Sequence, residues 1–331
     1  MINVAINGFG RIGRNIFRAA YKDKKINFVA VNDLTDPSCL AYLLKYDSAH
    51  GRFPEKVTST QSSLKIGNKT LKVFAQKDPE QLPWKELKID VVIESTGFFL
   101  TKELASKHLK AGAKKVLLSA PAKDDAIKTF VYGVNHKKYN KKTDHIVSNA
   151  SCTTNCLAPV AMVLDKKFGI TSGLLTTTHA YTSTQRIVDG PAKKFRRGRA
   201  AGVNMVPTTT GAAIATTKVL PNLIGKIDGR AIRVPIVDGS ISDFTCQLKK
   251  SVTTEQVNQA FKDAAMKELK GVLEYTEEEL VSSDILSNPY SAILDSKLTK
   301  VINKNMVKVF AWYDNEWGYS NRMIDMVKWI A

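Results

Sequence analysis

The stretch SNASCTTNC, residues 148–156, sets Cys152 among small polar residues, with Cys156 four places on. Thiols at that spacing could form a nucleophile, half of a metal site, a disulfide or ordinary packing. The continuation CTTNCLAPVAMVLDKKFG reads as a strand end feeding a helix, which puts Cys152 at or near a helix N-terminus. The positive end of the helix dipole is expected to lower its pKa and raise its thiolate fraction at neutral pH. Cys156, one turn deeper on an apolar face, is expected to be a buried small thiol. C-x-x-x-C is not the usual zinc spacing, and no Cys or His pair follows nearby, so no metal is expected. Neighbours one helical turn apart are also poorly placed for a disulfide.

A thiolate nucleophile needs a base or ion-pair partner. The histidines are at 50, 108, 136, 145 and 179. His108 lies in a helix that reads as surface, and His136 and His145 flank the lysine-rich NHKKYNKKTDH. His179 ends the β-rich run GLLTTTHAYT, the kind of strand terminus where sites are built. It is the expected partner; its bland alternative is a satisfied strand-end histidine.

A redox or transfer reaction at Cys152 needs elements that hold a second reactant, and the first residues read that way. INVAI, then NGFGRIG, the helical pattern RNIFRAAYK and the apolar run INFVAV make strand, glycine-rich turn, helix, strand. Gly8, Gly10 and Gly13 form G-x-G-x-x-G: one glycine for the tight turn, one for close approach of a pyrophosphate, one for helix–strand packing. The phosphate charge would sit at the helix N-terminus. Asp33, at the end of the second strand, suits a ribose 2′-hydroxyl and would repel a 2′-phosphate, which favours NAD over NADP. Further strands are expected at DVVIESTG (90–97) and KVLLSAPA (115–122), separated by the helical pattern TKELASKHLKAG. Strand ends line the crevice in such a sheet, so Thr96, Gly97 and Ser119 are candidate contacts for the nicotinamide half. Lys77 is a candidate near the adenine. Each also has an ordinary reading, as turn chemistry or an exposed lysine.

With 331 residues the chain is long enough for two domains. A hydrophobic fraction of 44% and a charged fraction of 24% are ordinary for a globular protein. Cysteines at 39, 152, 156 and 246 are too few and scattered for a secreted disulfide scaffold. The opening MINVAINGFG lacks a basic n-region and cleavage site, and no long apolar run follows, so neither a signal peptide nor a membrane span is expected. A cytoplasmic setting is the default. The net charge of +18 could attract nucleic acid, anionic membranes or phosphorylated metabolites, but the lysines are spread along the chain.

Taken together, GFGRIG, ASCTTNC, TTTHAYT, RRGRAA, PTTTGAA, RVP and WYDNEWGYS resemble phosphorylating, NAD-dependent glyceraldehyde-3-phosphate dehydrogenases, in order from residue 2 to about 330. The resemblance implies a Rossmann-type dinucleotide-binding domain over 1–150, joined by a C-terminal helix at 316–331. It further implies a catalytic domain over 151–315 built on a mainly antiparallel sheet (α/β plus α+β), with an S-shaped loop at about 180–203. It implies a homotetramer acting on glyceraldehyde 3-phosphate and inorganic phosphate in glycolysis and gluconeogenesis. By motif, Cys152 is the nucleophile and His179 the base. Thr182 and Arg233 match the site for the substrate's phosphate. Arg197 and Thr210, with Ser151, Thr153 and Gly211, match the site for inorganic phosphate. Asn7, Arg11 and Ile12 belong to the NAD-binding turn, Asn315 matches the residue that orients the carboxamide, and Tyr319 the aromatic beside it. Asp33, Leu34 and Pro191 follow the NAD-using pattern.

The nearest alternative is erythrose-4-phosphate dehydrogenase, a relative that releases its acid to water; the Arg197 and Thr210 anion site argues against it. A second is a basic protein that binds nucleic acid or an anionic surface. The cluster Lys193, Lys194, Arg196, Arg197 and Arg199 resembles such a patch in isolation, but with one member expected to hold phosphate, nucleic acid is not expected as the main partner.

Overall fold

A computed structural model describes residues 1–331. The chain forms two compact units. The first comprises Met1–Phe130, His136–Ala150 and Ser320–Ala331, and the second Val131–Asn135 and Ser151–Tyr319.

In the first unit the strands are β1 (Ile2–Asn7), β2 (Ile26–Asn32), β3 (Val57–Thr60), β4 (Ser63–Ile66), β5 (Lys69–Phe74), β6 (Val91–Glu94), β7 (Lys115–Leu118), β8 (Lys128–Thr129) and β9 (Ile146–Ser148). Its helices are α1 (Arg11–Ala20), α2 (Pro37–Lys45) and α3 (Lys102–Lys110). They form one sheet in the order β3-β4-β5-β2-β1-β6-β7-β9-β8. β1 pairs in parallel with both β2 and β6, so the strand order reverses at β1 and opens a crevice at its C-terminal end. The runs VVIE in β6 and KVLL in β7, apolar but for Glu94 and Lys115, are buried throughout, as strands covered on both faces require. The expected strands 90–97 and 115–122 are shorter than their apolar patterns, since Ser95–Gly97 and Ser119–Ala122 leave the sheet as turns.

The first helix of the second unit is α4 (Cys152–Phe168). Next come β10 (Ile170–Ala180), β11 (Val206–Thr209), α5 (Ala212–Val219), β12 (Ile227–Val234), β13 (Ser240–Leu248), α6 (Thr254–Met266), β14 (Leu273–Thr276), β15 (Ala292–Ile302), β16 (Met306–Tyr313) and α7 (Trp317–Ile330). The sheet runs β11-β12-β10-β13-β16-β15-β14. It is mainly antiparallel; β10–β12 and β14–β15 are its parallel pairs. Along β13 buried and half-buried positions alternate, the mark of a sheet with one face on a core. That core is built from Leu157, Val160, Leu164, Phe244, Phe261 and Val309, among others. Residues 181–205 carry little regular structure beyond a short 3₁₀ turn at Phe195–Gly198.

Helix α7 starts where Asp314 Oδ1 accepts from the N–H groups of Glu316 (2.9 Å) and Trp317 (2.6 Å). Its residues from Ser320 onward belong to the first unit. There the Tyr139 hydroxyl donates to Ile330 O (3.0 Å), Trp329 Nε1 to His136 O (3.0 Å) and Lys141 Nζ to Ala331 O (2.7 Å), while Lys328 pairs with Asp23. No helix is long and apolar enough to cross a membrane.

Candidate active site

Cys152 is the first residue of α4, and the cap explains why the helix begins there. Ser151, in an extended conformation, accepts from the Thr154 N–H with its hydroxyl at 3.2 Å. The Cys152 Sγ lies 3.4 Å from His179 Nε2, at the C-terminal end of β10. Cys156 is fully buried and its thiol donates to Ala311 O at 3.7 Å.

Arg233 sits beside the same histidine because β12 runs parallel to β10 with His179 and Arg233 in register. Arg233 Nη1 lies 2.5 Å from His179 Nδ1 and donates to Ala180 O at 3.1 Å; Nδ1 itself lies 2.7 Å from Ala180 O. Nδ1 thus faces both an acceptor, Ala180 O, and a donor, Arg233 Nη1; with the ring proton on Nδ1 and given to Ala180 O, Nε2 presents a lone pair to Cys152. Burial first, then the charge of Arg233, push His179 down to about 3, so the ring is uncharged. Burial pushes the Cys152 thiol up, with Arg233 pulling it down. This corrects the expectation of a thiol lowered by the helix end: desolvation of the thiolate outweighs the favourable charges around it.

Of the expected phosphate ligands, Arg197 is fixed among threonines. Arg197 Nε donates to the Thr208 hydroxyl (2.9 Å), Nη2 to Thr209 O (3.3 Å) and Nη1 to the Thr184 hydroxyl (3.5 Å), which in turn lies 2.9 Å from the Thr182 hydroxyl. Thr210 accepts from the Ala212 N–H (3.2 Å), and Gly211 precedes α5. The charge of Arg197 contributes to lowering the Arg233 pKa, behind burial, and Arg233 Nε is buried with no partner. Two guanidinium groups that repel, one with an unused donor, suit an anion. The Thr153 hydroxyl lies 4.0 Å from Cys152 Sγ and 2.8 Å from the hydroxyl of Tyr313, which also meets Thr177 at 2.8 Å and packs edge-on to His179. Asn315 Oδ1 accepts from Ser240 Oγ (2.5 Å), and the same hydroxyl accepts from the Ala180 N–H (3.2 Å). Tyr319 is buried.

In the first unit a cavity of about 540 Å³ opens at the reversal of strand order. Asn7, Gly8, Gly10, Asp33, Lys77 and Thr96 line it, with Leu34. Gly8, at φ +91°, could carry no side chain, since a Cβ would lie 2.7 Å from Thr96 N; at Gly13 it would lie 2.2 Å from Gly8 O. Gly10 meets nothing within 4 Å, leaving the bare backbone approach that a pyrophosphate needs. Asp33 is held by the N–H groups of Phe9 (2.8 Å) and Thr35 (3.0 Å). These residues fit a dinucleotide. Arg11, Ile12, Gly13, Gly97 and Ser119 do not line the cavity. Arg11 pairs with Asp47 (3.0 Å through Nη2), and the Ser119 N–H donates to Glu94 O at 2.9 Å.

One histidine differs from its expected place. His108 is fully buried, between Glu94 and Trp84, rather than on a surface helix: Lys102, Lys107 and Lys110 make α3 read as solvated, but the ring points into the unit. His136 is likewise buried, its ring against Trp329. Sequence reasoning missed Tyr313, Ser240 and Glu94, whose partners lie far along the chain.

Comparison with known proteins decides the family. The profile of the glyceraldehyde 3-phosphate dehydrogenase NAD binding domain matches residues 2–102, and that of the C-terminal domain of the same enzymes matches 151–315. The chain belongs to the glyceraldehyde 3-phosphate dehydrogenase family. It is 54% identical over 330 residues to the glyceraldehyde-3-phosphate dehydrogenase of Geobacillus stearothermophilus, covering 100% of this chain and 98% of that one. The enzyme of Streptomyces coelicolor is 54% identical over 332 residues, and one from Bacillus subtilis 52% over 330, with the same coverage of both chains. The first unit is therefore an NAD-binding domain of this family, with NAD as the cofactor.

Proposed function

We propose that the chain oxidises D-glyceraldehyde 3-phosphate with NAD and inorganic phosphate to 1,3-bisphosphoglycerate and NADH. The observation that carries this reading is the 3.4 Å approach of Cys152 Sγ to His179 Nε2 beside two arginines. His179 takes the thiol proton as Sγ adds to the aldehyde carbon and passes it to the new oxyanion, giving a hemithioacetal. The Cys152 N–H, free at the start of α4, faces the developing oxyanion. Bound NAD would supply the two-electron hydride acceptor for the oxidation of that carbon. His179 takes the hydroxyl proton in that oxidation, which leaves a thioester on Cys152. Phosphate held by Arg197, Thr210, Gly211 and Ser151 attacks the acyl carbon, and the Cys152 thiolate leaves, taking the proton back from His179. Thr182 and Arg233 hold the substrate's own phosphate throughout.

Four copies are proposed to assemble. Support comes from exposed apolar residues along the 180–206 segment, where Ile187, Val188, Phe195, Val203 and Met205 are each at least 73% exposed. The proposed setting is the cytoplasm.

Turnover of glyceraldehyde 3-phosphate, followed as NADH with and without phosphate, tests the reaction. Phosphate-dependent acyl phosphate formation is expected; phosphate-independent acid release, or preference for erythrose 4-phosphate, would overturn it. Cys152→Ser is expected to abolish turnover while NAD still binds.

A further inference from the structure

Asn7 and Thr96 line the cofactor cavity, yet their side chains bond one carboxylate that does not, and Asn32, also in the lining, joins them through Asn7. Glu94, the last residue of β6, is fully buried. It accepts from Asn7 Nδ2 at 2.5 Å, from the Thr96 N–H at 2.8 Å and from the Thr96 hydroxyl, and lies 3.1 Å from His108 Nε2. An unsatisfied buried carboxyl group would be costly, and this convergence of donors satisfies its oxygens.

Every bond in the network has a fixed direction. Trp84 Nε1, which only donates, lies 3.1 Å from His108 Nδ1. Nδ1 therefore accepts, and the ring proton on Nε2 faces Glu94. Asn7 is oriented with equal strictness. Its Oδ1 accepts from Asn32 Nδ2 at 2.7 Å, while Asn32 Oδ1 accepts from the Gln76 backbone N–H at 2.8 Å, a donor that cannot reverse. Asn7 Nδ2 is left pointing at Glu94, 3.4 Å from His108 Nε2, because both donors converge on Oε2.

This network joins the walls of the cavity. Asn7 immediately precedes Gly8, and Gly8 packs so closely on the turn after β6 that a Cβ there would strike Thr96. Glu94 thus holds the glycine-rich turn through Asn7 and the facing turn through Thr96. The His108 ring also backs Phe99 of the cavity wall, edge-on at 6.1 Å.

We infer that Glu94 and His108 are positioning residues for NAD, fixing the two turns in their binding conformation before the cofactor arrives. Turns already ordered spare the binding step that entropy. This inference rests on reading the cavity as the NAD site.

Calorimetric titration of the full-length chain with NAD tests it, and absence of binding by the unaltered chain would refute the reading itself. Glu94→Gln must turn an amide N–H toward a donor, and its NAD Kd is expected to rise on the order of tenfold. Alkylation of Cys152 by iodoacetamide should meanwhile keep its normal rate. His108→Leu, which removes both ring partners, should weaken NAD binding in the same direction. His108→Gln can place an N–H toward Glu94 and an oxygen toward Trp84, and should return affinity to within about twofold. A purely structural role would lower Tm in these variants and leave the Kd of the folded protein unchanged; unchanged affinity in Glu94→Gln and His108→Leu overturns the proposal. Should Glu94→Gln fail to fold, equal affinities of the two His108 variants would overturn it. Should His108→Leu fail as well, Trp84→Phe decides, with unchanged affinity counting against the inference.

Discussion

At the scale of single residues, the decisive arrangement is a thiol, an imidazole and a guanidinium set side by side. Burial opposes charge on Cys152, and Arg233 is the largest influence in the other direction. Arg233→Leu is therefore expected to raise the thiol's pKa further and slow iodoacetamide alkylation at neutral pH, with the rate profile displaced toward higher pH. Faster or unchanged alkylation would contradict this electrostatic account. Asp47 allows a stability test of opposite character. Burial raises its pKa, but the Arg11 hydrogen bond and the N–H groups of His50 and Ala49 outweigh it, and the carboxyl falls to about 2 from an ordinary 3.8. A carboxylate depressed on folding contributes stability above its unfolded pKa and loses it as pH falls through the folded one. Asp47→Asn should accordingly destabilise the chain at neutral pH in urea unfolding, with the gap to wild type closing as pH falls from 3.8 toward 2. A gap that persists at the acid end would mean that packing, not charge, is at work.

At the scale of elements, the glycine-rich turn separates two functions that share one motif. Gly13 packs α1 onto the turn, so Gly13→Ala should cost about 1–3 kcal/mol of stability through overpacking. Gly10 faces open space with φ −72°, which alanine tolerates. Gly10→Ala should keep its Tm and lose NAD affinity on the order of tenfold, because the added methyl occupies the approach to the pyrophosphate. Thermal melts and NAD titrations on both variants check the split; the reverse pattern would refute it. The cap of α4 belongs here too: Ser151→Ala should cost about 1 kcal/mol in denaturant unfolding. These elements were legible in the sequence because their signals are local. Strand, turn and helix follow one another within β1-α1-β2, and Ser151 announces the helix that carries Cys152. What was not legible comes from strands distant in sequence. Arg233 reaches His179 through the parallel register of β10 and β12, Tyr313 reaches Thr153 from β16, and Glu94 claims His108 from a helix whose lysines read as solvated. A motif such as ASCTTNC could point to the nucleophile, but no local pattern encodes which side chains pairing will bring to it.

At the scale of the whole molecule, the +18 charge and the apolar 180–206 segment point to different consequences. Positive charge spread over the surface favours phosphorylated substrates at long range and weakens with salt. The apolar segment needs cover, and Phe195→Asp, a residue 90% exposed, is expected to shift light-scattering mass from four copies toward smaller species. A mass already at one copy for the unaltered chain would refute the assembly. One further consequence lies in how the first unit is assembled from the chain. It holds residues from both ends, with Tyr139, Lys141, His136 and Asp23 bonded to residues 328–331. During synthesis the nucleotide-binding half is begun first yet completed last. Its sheet is complete in sequence by Ser148, yet the contacts made by residues 328–331 can form only after every strand of the second unit has been synthesised.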